Sequence, residues 1–85
     1  MNNKDKSIIN KDTLIKIIIK TKSNLNISKL RRNEKFILDS LEIVILIMEL
    51  KKKFNISIPG KMIILKNFNS LNKIYSLCLK FYKTK

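Results

Sequence analysis

One serine in this chain sits where reactive chemistry is plausible. In Leu38-Asp39-Ser40-Leu41-Glu42 it occupies the first turn of an expected helix, directly after the acid that caps that helix. Unpaired backbone N–H groups and the positive helix end meet there, which suits a phosphate held on the Ser40 oxygen. Asp-Ser is also how any ordinary helix begins, so the local motif needs its context. The other candidates are few. Histidine is absent, which removes the commonest general base and the commonest metal ligand. A single cysteine, Cys78, allows no disulfide within the chain and no Cys/His zinc site. It falls inside an apolar stripe, so a buried structural thiol is expected rather than a reactive one. Arg31 and Arg32 are expected in solvent, with phosphate binding as the alternative. This inventory argues against a metal or acid–base enzyme and favours a binding or carrying role.

The chain that must position Ser40 has 85 residues, enough for one domain, 1–85, with a short frayed start of about ten residues. A domain of this size buries only roughly 60–65% of the surface its unfolded chain exposes, leaving little room for a deep pocket. Apolar residues make up 45%, so a packed core is expected rather than disorder. The formal charge of +13 would attract nucleic acid, anionic lipid or an acidic partner. An A/T-rich codon bias towards Lys, Asn and Ile is a second source of that charge, although it does not explain the scarcity of Glu. Met1 to Ser7 lack the apolar stretch of a signal peptide. The longest apolar run, Ile43 to Met48, is closed by Glu42 and Glu49, far short of the about 18–20 residues that span a bilayer. A soluble, cytoplasmic protein is expected.

The periodicity predicts an all-α fold. Asp12 is placed to cap a first helix beginning near Thr13, with Leu14, Ile17 and Ile18 on one face and Lys16 and Lys20 on the other. The β-branched run Ile17–Ile19 would also suit a strand. Residues 25–39 read as a long connection without a period, anchored by Leu25, Ile27, Leu30, Phe36 and Leu38. The clearest helix runs from Ser40 to about Phe54. Ile43, Leu46, Ile47, Leu50 and Phe54 recur at three- and four-residue steps and should face the core. Leu41, Val44, Ile45 and Met48 lie opposite, and so small a domain can hardly bury both faces, which makes the second face a candidate docking surface. Lys51–Lys53 suit the negative end of that helix. Pro59-Gly60 predicts a turn, and Lys61 to Leu65 one short helical turn offering Met62, Ile63 and Leu65 to the core. Asn69 or Ser70 is placed to cap a last helix with the stripe Leu71, Ile74, Leu77, Cys78 and Phe81.

From Phe36 to Leu79 the chain resembles the acyl and peptidyl carrier proteins. Leu38-Asp39-Ser40-Leu41 matches their attachment motif, and Val44, Leu46, Met48, Leu50 and Phe54 match the apolar pattern of the helix that follows it. Ile56-Ser57-Ile58-Pro59 matches the exit from that helix, and Phe68-Asn69-Ser70-Leu71-Asn72-Lys73-Ile74 the start of the last one. The first half agrees only in length and helix placement. Between Pro59 and Phe68 the spacing is closer to stand-alone and D-alanyl carriers, since fatty-acid carriers run about two residues shorter in this loop.

The resemblance implies a four-helix carrier bundle: three main helices, one short one, and a long loop after the first. It implies that Ser40 receives phosphopantetheine from coenzyme A through a separate, magnesium-using phosphopantetheinyl transferase. An acyl or aminoacyl group would then ride on the arm as a thioester. Asp39 would cap the helix and help the transferase recognise it, and Leu41, Glu42, Val44, Ile45 and Met48 would meet partners. Those partners would be an adenylating or acyl-loading enzyme and a downstream synthase or acyltransferase, with the carrier itself a monomer that catalyses nothing. Two departures stand out. Ile45, Lys51 and Lys52 fall where fatty-acid carriers commonly have acids, so recognition here would be apolar or would use enzymes with acidic surfaces. No glycine precedes Asp39. The reading from another class is a basic helical nucleic-acid-binding protein, which rests on the charge alone. The basic residues form no single stripe, and no helix-turn-helix spacing or aromatic stacking set is evident. A membrane-surface role rests on the same charge and has no clean amphipathic helix behind it.

Overall fold

The computed structural model describes residues 9–82, and within them the chain is helical with no strand. Four α-helices follow in order: α1 (Lys11–Thr21), α2 (Ile27–Arg31), α3 (Ser40–Phe54) and α4 (Leu71–Phe81). Two 3-10 turns, Gly60–Met62 and Leu65–Phe68, interrupt the connection between α3 and α4. Helix α1 packs against α2, α3 and α4 and so stands at the centre of the arrangement. None of these helices is long and apolar enough to cross a membrane.

The first helix begins earlier than the sequence suggested. Asn10, not Asp12, is its cap, with the Thr13 N–H donating to Asn10 Oδ1 at 2.8 Å. Asp12 instead lies in the first turn, where a carboxylate favours the helix dipole. Ile9 and Leu14 occupy the positions of a hydrophobic staple across that cap, and both are buried. Ile9 and Asn10 therefore belong to the folded unit, and the rest of the expected frayed start lies outside the described residues. The Ile17–Ile19 run is helical because Leu14, Ile15, Ile17 and Ile18 together form a buried stripe of helical period.

The stretch expected to be an aperiodic loop contains α2, capped by Asn26, whose Oδ1 accepts from the Lys29 N–H at 3.1 Å. The short α-helix is thus here, while the expected turn at 61–65 is only overlapped at its ends by the 3-10 turns Gly60–Met62 and Leu65–Phe68. Leu30 and Leu38 are buried and Leu25 and Phe36 pack against the core, so four of the five anchors hold. Ile27 does not: it is 48% exposed. Two bonds tie this connection to the start of α4. The Phe36 N–H donates to the Asn69 carbonyl at 2.9 Å, and Asn33, at φ 62°, accepts from the Asn72 N–H at 2.9 Å.

Helix α3 lays Ile43, Leu46, Leu50 and Phe54 into the core, with Ile47 at its margin. It ends at Asn55, whose left-handed backbone (φ 57°) closes the helix as asparagine tolerates better than most residues. Ile56 and Ile58 then plug the core from the exit segment. Of the three residues expected to be available from the next turn, Met62 is half-buried, while Ile63 and Leu65 face solvent. Ser70 caps α4, accepting from the Lys73 N–H at 3.3 Å, and Leu71, Ile74, Leu77 and Cys78 bury its apolar stripe, with Phe81 packed at the edge.

Candidate functional site

Ser40 is the first residue of α3 and is exposed. Its placement follows from a complete capping box. The Glu42 N–H donates to Asp39 Oδ1 at 2.8 Å, and Glu42 Oε1 accepts from the Asp39 N–H at the same distance. Both bonds satisfy donors that a helix start otherwise leaves open. They fix the backbone on either side of Ser40 while its hydroxyl stays clear of the box. Glu42 is held further by Lys22, whose Nζ lies 3.2 Å from Oε2, so the end of α1 steadies the start of α3.

Beyond the serine, Leu41, Val44, Ile45 and Met48 form one outward stripe at i, i+3, i+4 and i+7. Their exposures run from 40% to 67%, an unusual display for four large apolar residues on one helix face. Glu42 differs from these four. Its side chain is only 20% exposed and its carboxylate is already engaged by the cap and Lys22. The structure therefore brings Ser40 together with Asp39 and the apolar stripe, and turns Glu42 towards α1. Ile37, three residues before Ser40, is 80% exposed and was not singled out from the sequence. The alternation Phe36 in, Ile37 out, Leu38 in is that of an extended segment, but all three residues are apolar, so the sequence carried no signal for which one faces out.

Neither arginine reaches this site as a phosphate ligand. Arg31 Nη1 pairs with Asp12 Oδ1 at 3.0 Å and Arg32 Nε with Glu34 Oε2 at 2.9 Å, all four side chains being well exposed. Cys78 is fully buried, and burial pushes its thiol from 9.0 up to about 12, as expected for a structural cysteine. Among the described residues no group of His, Cys, Asp and Glu is arranged to hold a metal ion.

Available chemistry at Ser40 is limited to what an exposed hydroxyl at a helix start can do. Among the described residues no side chain hydrogen-bonds its hydroxyl as a general base would. A phosphate carried on that oxygen would meet the positive end of α3. Comparison with known proteins adds no relative: no protein-family model, curated protein or solved structure matches the chain.

Proposed function

We propose that the protein is an acyl or peptidyl carrier, bearing an acyl or aminoacyl group as a thioester on a phosphopantetheine arm attached to Ser40. The observation that carries this reading is an exposed serine opening a capped helix, followed on the same helix by a solvent-facing apolar stripe. A carrier needs both: an accessible hydroxyl for the arm and a surface by which successive enzymes find it.

The residues present fit the arm. Attachment joins the Ser40 oxygen to phosphorus, adenosine bisphosphate leaves coenzyme A, and the hydroxyl proton passes to the transferase. The capping box keeps the Asp39–Glu42 backbone in one conformation, so the hydroxyl is presented without a cost of ordering on binding. The arm, once attached, supplies the thiol that holds the cargo. This chain contributes position, the helix end that favours the phosphate, and the Leu41–Met48 stripe as the docking face. With Lys51 and Lys52 following that stripe, partners with acidic rather than basic rims suit it.

Intact mass after incubation with coenzyme A, magnesium and a promiscuous phosphopantetheinyl transferase tests the proposal. A gain of one phosphopantetheine, absent in Ser40→Ala of unchanged helicity, is the expected result. Failure with several unrelated transferases on folded protein would sink it.

A further inference from the structure

The opposite end of α3 carries a separate cluster of charges. Around Glu49 stand three ammonium groups: Lys20 from α1 at 3.6 Å, and Lys52 and Lys53 from α3 itself at 4.0 Å each. The carboxylate is only 15% exposed, and its Oε1 is buried without a hydrogen bond. At these distances none of the three ammonium groups hydrogen-bonds the carboxylate, and all three lysine side chains are well exposed. Two of the three, Lys20 and Lys53, also line a surface hollow of about 250 Å³ in the seam between α1 and α3, together with Thr13, Lys16 and Ile17. Lys16 and Lys20 are one turn apart on α1 and lie on the same face.

Charge balance defines the ligand. Lys16, Lys20 and Lys53 line the hollow, Lys52 adds a fourth ammonium beside Glu49, and that carboxylate offsets one of the four. Every other acid among the described residues is engaged elsewhere: Asp12 and Glu34 by arginines, Asp39 by the cap, Glu42 by the cap and Lys22. An excess of three positive charges matches a pyrophosphate group, whose two phosphates together bear about −3 at neutral pH. Ammonium groups bind such oxygens through charge-assisted hydrogen bonds, and the Thr13 hydroxyl is a further donor at the rim. We infer that the α1–α3 seam of Thr13, Lys16, Lys20 and Lys53 is a binding site for a multiply charged phosphate group of pyrophosphate size. It lies about 20 Å from Ser40 along α3, so it is distinct from the serine site and does not depend on the carrier reading.

The test is a titration of the full chain with inorganic pyrophosphate at constant ionic strength, followed by backbone amide shifts. Saturable shifts confined to the neighbourhood of Thr13, Lys16, Lys20 and Lys53 are expected. Lys16→Gln/Lys53→Gln should weaken binding at least about tenfold, because both removed charges face the ligand at close range. Lys61→Gln/Lys66→Gln, which removes the same charge from the α3–α4 connection, should change it less than about twofold, since screened charges at a distance contribute little. A single-stranded oligonucleotide distinguishes the source of the phosphate. If it competes at the same amides the ligand is a phosphodiester backbone, and if it does not, the ligand is a small phosphorylated molecule; either result keeps the site. Equal weakening in both double variants, shifts spread over the whole surface, or no saturation would overturn it.

Discussion

The two faces of α3 are built from the same kinds of residue and do opposite things. Ile43, Leu46 and Leu50 are at most 3% exposed, whereas Leu41, Val44 and Met48, interleaved with them, are at least 49% exposed. Composition does not separate the faces. Position relative to α1 does, because α1 covers one side of α3, and no other element among the described residues covers Leu41, Val44 and Met48. An apolar residue on the covered side contributes to stability. One on the open side costs hydration and contributes nothing until something docks there. The contrast separates the residues that hold the fold from those left free to meet a partner under the proposed function.

Substitution on each face should expose that division most sharply. Leu46→Ala removes a fully buried side chain and should cost about 2–5 kcal/mol in urea unfolding, enough to leave a domain of this size barely folded. A loss below about 1 kcal/mol would mean that α3 is not seated as described.

The buried side also has a pH signature, through Cys78 of α4. Its thiol ionises near 9.0 when unfolded and near 12 when folded, so the unfolded chain releases the proton first. The contribution is complete below pH 9 and is lost progressively as the pH rises from 9 towards 12. Wild type should therefore lose stability with pH in this range more steeply than Cys78→Ala, and parallel curves would show that the thiol is not buried in solution.

Asp39 belongs to neither face and starts both. Asp39→Ala breaks the capping box and should cost about 1 kcal/mol in thermal or urea unfolding. If Ser40 bears the proposed arm, its loading should slow as well, because the first turn then frays. Restoration of stability but not of loading by Asp39→Asn would separate the cap from recognition by the transferase.

Least disruptive to the fold is the exposed stripe. Met48→Ala should stay within about 0.5 kcal/mol of wild type while, under the proposed carrier function, slowing transfer of the arm by the transferase. If it destabilised the chain as Leu46→Ala does, the two faces would not differ as the structure has them.

Much of this was legible in the sequence because it depends on local order. The α3 boundaries, its cap at Asp39, its two apolar faces and the burial of Cys78 all follow from residue spacing within a few turns, and the α4 cap was narrowed to Asn69 or Ser70, of which the structure uses Ser70. The α1 cap was misplaced by two residues because Asn10 and Asp12 are both good caps, and the choice fell to Ile9, which must reach the core. Helix α2 went unseen because five residues are too few to show a period, and it is stabilised by Asn26 and buried Leu30 rather than by propensity.

Local pattern, then, determined which residues form the three long helices and which serine opens the middle one, since capping and helical period act over three or four residues. Tertiary structure alone decided the rest. Asn33 reaches 39 positions along the chain to cap Asn72, and Lys20 of α1 meets Glu49 of α3. Ile63 and Leu65 remain outside while Ile56 and Ile58 go in. These outcomes depend on which surfaces meet when the helices pack, and that is a property of the whole arrangement rather than of any segment in it.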